Sequence, residues 1–115
     1  NLSKIIIPTM RILMVCLGNI CRSPLAEGIL KEKVKAEKLD WTVDSAGTGA
    51  WHVGELPDPR SIKEAQINSI DITNQRARQF STEDFENFDL IERVHLKFCK
   101  LVLHLNLKTS FCRIA

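Results

Sequence analysis

The sequence predicts an α/β fold built on a short parallel sheet. Three strand-like runs, at residues 12–15, 41–45 and 88–91, are separated by segments in which apolar residues recur at helical spacing. Strands that alternate with helices in this way form parallel sheets joined by crossover helices. The chain has 115 residues, of which 44% are hydrophobic and 26% charged, and this composition suits one folded domain.

The first strand, loop and helix are predicted over residues 11–39. Residues 12–15 form a continuous apolar run that stops at Cys16, which is typical of a parallel strand covered on both faces. We expect Ser23 to cap the next helix and Pro24 to occupy its first turn, because proline suits that position. The apolar residues expected on the buried side of this helix are Leu25, Ala26, Ile29, Leu30 and Val34.

A second strand is predicted at residues 41–45, where apolar and polar side chains alternate. We expect Trp41, at the start of this strand, to lie in the core. A glycine-rich loop follows at 47–49, and Asp58-Pro59 then indicates the start of a second helix. The residues expected on the buried side of that helix are Ile62, Ala65 and Ile70.

The third predicted unit is a short helix followed by a strand. Ser81 and Asp84 have the spacing of a capping box, which predicts a helix through Asn87, and residues 88–91 then form an apolar strand. Further on, the sequence LVLHLNLK at 101–108 alternates leucine with other residues and would suit an edge strand.

Charge and cysteine content narrow the classes of function. Residues 1–91 carry 11 basic and 13 acidic side chains, a net −2, whereas residues 92–115 carry 5 and 1, a net +4. The basic excess therefore belongs to the tail, and we expect no nucleic-acid partner. No apolar run reaches the roughly 18 residues needed to span a bilayer, so no membrane partner is expected either. No secretory signal is recognisable, which favours reduced cysteines and a cytoplasmic location; the cysteines are Cys16, Cys21, Cys99 and Cys112.

The loop that follows Cys16 has the features of an anion-binding site. Where a strand ends and a helix begins, unpaired backbone N–H groups and the positive end of the helix dipole favour a negative charge. The same environment favours thiolate over thiol, which makes Cys16 a candidate nucleophile. The planar guanidinium of Arg22 can bind two phosphoryl oxygens at once. Gly18 leaves room for an anion near the backbone, and Asn19 tolerates the left-handed conformation that such loops require.

Each of these residues alone would favour a structural role, since a single buried cysteine is usually a small apolar side chain. Their combination at the end of a strand favours phosphate chemistry instead, with Ser23 donating a hydrogen bond to the sulfur. No metal site is predicted, because Cys16 and Cys21 lack a second cysteine pair or nearby histidines at ligand spacing. The residues predicted to bind phosphate are Leu17, Gly18, Asn19, Ile20, Cys21 and Ser23, together with Arg22.

The sequence VCLGNICRSP at 15–24 closely resembles the low-molecular-weight protein tyrosine phosphatases, whose hallmark is a Cys-x5-Arg-Ser loop near the N-terminus. The likeness covers roughly residues 10–91. It is carried further by AEG at 26–28, VDSAGTGAWHVGELPDPR at 43–60, ARQ at 77–79 and EDFENFDLI at 83–91.

The resemblance implies a three-layer α/β/α fold with a short parallel sheet, of the phosphotyrosine phosphatase I type. It also implies that Cys16 is the nucleophile and Arg22 the phosphate binder. Trp51 would form an aromatic wall of the substrate cleft, and His52 would line the same cleft. The residues implied to hold the loop and tune the thiolate are Asn19, Ser23 and Ser45.

The chain departs from the family pattern towards its C-terminus. Family members continue further and carry a late Asp-Pro pair whose aspartate protonates the leaving phenol. The only such pair here, Asp58-Pro59, lies in the middle of the likeness, where we expect a helix start rather than an acid. We therefore predict a phosphatase-like domain at 10–91, an upstream extension at 1–9 and a divergent tail at 92–115, with the last strand and helices of the family fold missing.

These features predict a phosphatase that hydrolyses aryl phosphomonoesters through a cysteinyl-phosphate intermediate, without cofactors, and impaired by the loss of the acid. Its partner would be a phosphotyrosine-containing protein or a small aryl phosphate, and the oligomeric state stays open. Two alternatives remain. One is a thioredoxin-coupled arsenate reductase, for which Cys99 and Cys112 would have to supply the resolving thiols. The other is a phosphate-binding module without turnover.

Overall fold

The computed structural model describes residues 9–94, which contain a three-stranded parallel sheet with helices packed against it. This architecture confirms the predicted α/β class and the short parallel sheet. In chain order the elements are β1 (Met10–Cys16), α1 (Arg22–Ala36), β2 (Trp41–Gly47), α2 (Pro59–Ile67), α3 (Asp84–Asn87) and β3 (Leu90–Arg93).

Strand β1 lies in the middle of the sheet, between β2 and β3. Its apolar run is buried on both faces, as the continuous pattern predicted. Both neighbours run parallel to it, with Cys16 opposite Gly47 of β2 and Val15 opposite Arg93 of β3. The carboxyl ends of the three strands therefore meet at one edge of the sheet, where parallel α/β folds bind ligands.

Two apolar clusters cover the two faces of the sheet. The larger one joins Ile12 and Met14 of β1 to Leu25 and Ile29 of α1; Trp41, which we expected in the core, is partly buried against this cluster. The smaller cluster, on the other face, has these members: Leu13, Val15 and Ala46, with Phe80, Phe88 and Ile91 packed against them. Full burial of a side chain such as Leu25 contributes about 1.5–3 kcal/mol, so the core fixes β1 and α1 on either side of the loop.

The expectation that Ser23 caps α1 is wrong. The helix begins at Arg22, and its N-cap residue is Cys21, whose side chain makes no capping hydrogen bond. Ser23 lies inside the first turn, where its hydroxyl contacts Cys16 and Asn19 instead of a backbone N–H.

The helix and strand ends also differ from the sequence pattern. Helix α1 ends at Ala36, and Lys38, with φ of 56°, turns the chain beyond it. Helix α2 ends at Ile67, so Ile70 is buried just outside it. These ends differ because a left-handed residue, such as Lys38, can stop a helix while apolar spacing continues.

The capping box before α3 is half formed. The carboxylate of Asp84 accepts a hydrogen bond of 2.8 Å from the backbone N–H of Ser81, but the N-cap residue is Glu83, without a side-chain bond. Strand β3 begins at Leu90, not at residue 88, because Leu90 is the first residue in register with β1.

Several predicted features lie outside the described residues. These are the edge strand at 101–108 and most of the extension at 1–9. Of the tail predicted at 92–115, Glu92 and Arg93 belong to β3. Among the described residues, no helix is long and apolar enough to cross a membrane.

Candidate active site

The loop between β1 and α1 is held by backbone hydrogen bonds from two other segments. The N–H groups of Thr48 and Gly49 donate to the carbonyls of Cys16 and Leu17, each at 2.9 Å. The N–H of Asp58 donates to the carbonyl of Ile20 at 2.6 Å. Because their carbonyls are engaged from outside, residues 16–20 have a fixed path around the N-terminus of α1.

The sulfur of Cys16 lies at the centre of this loop and receives hydrogen-bond donors. The side chain is 4% exposed, with Sγ 3.0 Å from Oγ of Ser23 and 3.3 Å from the backbone N–H of Asn19. Both groups can donate a hydrogen bond to the sulfur, so two donors converge on Cys16 within the loop.

The side chain of Asn19 orders the loop, and its orientation follows from simple chemistry. The backbone N–H of Arg78 lies 2.9 Å from one end of the Asn19 amide, and since an N–H only donates, that end is Oδ1. The Nδ2 group therefore faces Ser23 and Ser45, at 2.8 and 3.0 Å. The backbone φ of Asn19 is 57°, which confirms the expected left-handed conformation.

These contacts limit which way the serine hydroxyls point. Both oxygens accept from Asn19 Nδ2, so each hydroxyl proton is directed elsewhere. The proton of Ser45 goes to Oε1 of Glu27 at 2.6 Å. The Ser23 hydroxyl lies 3.0 Å from the Cys16 sulfur, and in this contact either group can be the donor, so donation from Ser23 to the sulfur stays a prediction.

Glu27 is a member of the site that sequence reasoning did not single out. Its carboxylate is buried and pairs with Nζ of Lys31, four residues on, at 2.6 Å. Two signals in the sequence could have found it: a carboxylate within an otherwise small and apolar helix face, and a lysine at the ion-pairing spacing. Its contact with Ser45 joins α1 to β2 beneath the loop.

Beside Cys16 a cleft of about 600 Å³ opens to solvent. Arg22, the first residue of α1, lines this cleft together with Cys16, so the guanidinium and the thiol face the same space. The other residues that line it are Val15, Leu17, Thr48, Phe80, Phe85, Ile91, Arg93 and Val94. The rings of Phe80 and Phe85 meet edge to face at 5.2 Å, and sequence reasoning did not assign either to the cleft.

Trp51 and His52 lie beside the loop but not among the residues that line this cleft. Trp51 is 69% exposed, and its indole ring lies so close to Gly49 that a methyl group there would overlap it. The His52 ring lies against Gly18, and its Nδ1 is 3.2 Å from Glu55. The tryptophan is therefore outside the core, on the rim of the loop.

Asp58 serves as the N-cap of α2. Its carboxylate accepts hydrogen bonds from the backbone N–H, Nε and Nη2 of Arg60 at 2.8–3.0 Å. The side-chain bonds from Arg60 outweigh the effect of partial burial and hold the pKa of Asp58 below its ordinary value of 3.8. A carboxyl group held in its ionised form is a poor proton donor, which agrees with the expectation that Asp58 starts a helix.

Among residues 9–94, no group of three or more histidine, cysteine, aspartate or glutamate side chains is placed to hold a metal ion. Within the same range, Cys16 and Cys21 are both buried and neither forms a disulfide.

Comparison with known proteins places this site in context. Residues 11–107 match the model of the family "Low molecular weight phosphotyrosine protein phosphatase". The curated protein of that name from Schizosaccharomyces pombe is 51% identical over 84 residues, which cover 70% of this chain and 53% of the relative.

Solved structures of phosphatases also align with this chain. A protein tyrosine phosphatase from Entamoeba histolytica aligns with a TM-score of 0.71 at 35% identity, over 83% of this chain and 61% of the other. A Drosophila arginine phosphatase aligns with a TM-score of 0.71 at 44% identity, over 73% and 54%. The chain thus spans about half the length of the curated relatives it matches.

Proposed function

The chain belongs to the low molecular weight phosphotyrosine protein phosphatase family, and we propose that it hydrolyses aryl phosphomonoesters through a cysteinyl-phosphate intermediate. The observation that carries this proposal is the position of the Cys16 sulfur. It sits among hydrogen-bond donors at the N-terminus of α1 and faces a cleft that it shares with Arg22. A phosphotyrosine side chain of a protein, or a small aryl phosphate, is the substrate class that fits.

In the first step the Cys16 thiolate attacks phosphorus and the bond from phosphorus to the aryl oxygen breaks. The electron pair of that bond leaves with the phenolate, which then takes up a proton. Arg22 and the N–H groups of the loop stabilise the equatorial oxygens of the transferring group, since donors fixed where charge develops lower the barrier. The left-handed turn at Asn19 supports this role, because the N–H of this residue points to the Cys16 sulfur at 3.3 Å.

In the second step a water molecule attacks phosphorus and the sulfur–phosphorus bond breaks. Inorganic phosphate leaves, and the electron pair returns to Cys16 as thiolate. Ser23 assists by donating a hydrogen bond from its hydroxyl to the departing sulfur, which leaves as the thiolate. The relay from Glu27 through Ser45 and Asn19 keeps that hydroxyl directed at the sulfur.

Protonation of the leaving phenolate is the step that the cleft residues support least. All 14 carboxylate side chains of the chain lie between residues 27 and 92, and none lines the cleft beside Cys16. Loss of a general acid typically costs about 10²–10⁴-fold, and most for poor leaving groups. We therefore propose an impaired phosphatase that acts on esters of acidic phenols and hardly on phosphotyrosine.

The test is a series of aryl phosphates whose phenols differ in acidity, from p-nitrophenol to tyrosine. We expect weak turnover of p-nitrophenyl phosphate, a steep fall in rate towards phosphotyrosine, and no turnover by Cys16→Ser or Arg22→Lys. Asp71→Asn, which changes an exposed carboxylate outside the loop, is the control and should keep its turnover. Equal rates for both esters would contradict the proposal of a missing proton donor.

A second candidate function is a phosphate-binding module without turnover, which the absence of carboxylates from the described cleft favours. A single burst of one phenol per chain, with no steady state, would select it. Because one relative of known structure is an arginine phosphatase, the series should include a phosphoarginine peptide. Turnover of that peptide above p-nitrophenyl phosphate would overturn the proposed substrate class. The arsenate reductase alternative depends on Cys99 and Cys112, which lie outside the described residues.

A further inference from the structure

Arg78 forms an ion-pair cluster behind the phosphate loop. Its Nη2 lies 3.1 Å from Oδ2 of Asp44 on β2 and 3.0 Å from Oδ1 of Asp84 on α3. Its Nη1 donates to the other oxygen of Asp84 at 3.1 Å, so this contact is bidentate. Asp84 is only 5% exposed, and Arg78 is 35% exposed. One guanidinium therefore joins the second strand to the third helix.

The main chain of the same residue reaches the loop. The N–H of Arg78 donates to Oδ1 of Asn19, and its carbonyl accepts from the N–H of Gly47 at 2.8 Å. The side chain of Arg78 thus binds the two aspartates, while its peptide groups bind Asn19 of the loop and Gly47 at the end of β2. The Arg78 N–H is thus one of the three groups that hold the Asn19 amide, together with the hydroxyls of Ser23 and Ser45.

We propose that the cluster of Arg78, Asp44 and Asp84 is a positioning device for the phosphate loop, which holds the Asn19 amide so that Ser23 stays aligned with the Cys16 sulfur. This inference rests on the proposed function, because it takes Cys16 as the nucleophile. The three residues touch neither sulfur nor substrate in this scheme. They act through the Arg78 N–H and the Asn19 side chain.

The electrostatics of the cluster agree with this role. Burial acts to raise the pKa of Asp84, but hydrogen bonds from Arg78 and from the N–H of Ser81 outweigh it, so the carboxyl pKa lies below its ordinary value. Bidentate pairs between arginine and carboxylate are directional as well as strong. If one carboxylate is neutralised, the guanidinium is free to reorient, and residue 78 follows it.

The test compares Asp84→Asn and Asp44→Asn with the parent chain. Asp44 is 45% exposed, so its replacement keeps the fold even if loss of the buried carboxylate does not. The matched control is Asp71→Asn, which removes a carboxylate that caps a turn at Thr73. Two measurements are made below the unfolding temperature: the dissociation constant of orthovanadate, and the rate of Cys16 alkylation by iodoacetamide near pH 6, read by peptide mapping.

We expect both cluster variants to bind orthovanadate about three- to tenfold more weakly than the parent. Alkylation of their Cys16 should be slower by a similar factor. This factor corresponds to the net contribution of one hydrogen bond. Asp71→Asn should change neither quantity. A purely structural cluster would lower the melting temperature of the variants and leave vanadate affinity and alkylation rate at parental values, which would overturn the inference.

The parent chain separates this inference from the proposed function. If Cys16 of the parent is not alkylated in preference to Cys21 and is not protected by orthovanadate, the proposed function fails and the inference fails with it. If the parent behaves as proposed and Asp44→Asn does not differ from it, only the inference fails.

Discussion

Replacement of Asn19 tests the hydrogen-bond network of the loop most stringently, because this residue combines a left-handed backbone with three side-chain hydrogen bonds. Its amide contacts Ser23, Ser45 and the N–H of Arg78, all at 3.0 Å or less. Asn19→Gly removes the three bonds and leaves the backbone free to keep its conformation. Asn19→Ala removes them and also places a Cβ group at φ of 57°.

The two substitutions should lower the free energy of unfolding by different amounts. If each hydrogen bond contributes about 0.5–1.5 kcal/mol net, Asn19→Gly should lower the unfolding free energy by about 2–4 kcal/mol. Asn19→Ala should cost about 1 kcal/mol more, because the left-handed penalty for alanine exceeds the extra chain entropy of glycine. Both variants should also lose Cys16 reactivity, since Ser23 is no longer oriented.

Urea unfolding of both variants measures these costs, and Lys38 provides the matched control. Lys38 is exposed and has φ of 56°, close to that of Asn19. The difference between Lys38→Ala and Lys38→Gly therefore reports the backbone penalty without the network, and should again be about 1 kcal/mol in favour of glycine. An Asn19→Gly variant as stable as the parent would refute the network. Equal stability of Asn19→Ala and Asn19→Gly, with a difference at Lys38, would refute the left-handed turn.

Three further predictions concern the surroundings of the loop. Asp58→Ala removes the cap of α2 and should lower the unfolding free energy by about 0.5–2 kcal/mol at neutral pH. Because the pKa of Asp58 in the folded chain lies below 3.8, the difference between parent and variant should be complete above pH 3.8 and vanish as the pH falls through the folded pKa. Unfolding measured at a series of acid pH values would show this. Gly49→Ala should displace the Trp51 ring from the rim of the loop. Because Trp51 does not line the cleft, KM for aryl phosphates should stay at the parental value; a raised KM with unchanged inhibition by inorganic phosphate would show that Trp51 is the predicted wall of the cleft. Glu27→Ala should leave the Ser45 hydroxyl without its buried acceptor and lower kcat by about tenfold, whereas a parental kcat would show that the relay does not matter.

The sequence was sufficient for the parts of the site that are contiguous in the chain. The apolar run that ends at Cys16, the left-handed turn at Asn19 and the cation at Arg22 all depend on local geometry at a strand end and a helix start. Short-range patterns carry that information, so the loop and the α/β class could be predicted from them.

The residues that support the loop from a distance could not be predicted in the same way. Glu27, Arg78 and Phe80 reach the site only because strand register and helix packing bring them there, and no short-range pattern encodes those contacts. Ser23 shows the opposite error: its position suggested a helix cap, but a sulfur and an amide compete for its hydroxyl and the helix begins without it. Long-range polar partners override a local capping preference in this loop.

The proposed mechanism requires a covalent bond between the Cys16 sulfur and phosphorus. The most direct measurement is acid quenching of the 1–115 chain during reaction with p-nitrophenyl phosphate, followed by mass spectrometry of the peptides. We predict a phosphorylated peptide that contains Cys16, present in the parent and in Cys21→Ser and absent from Cys16→Ser. Release of p-nitrophenol without a phosphorylated Cys16 peptide, or with equal release by Cys16→Ser, would contradict the account.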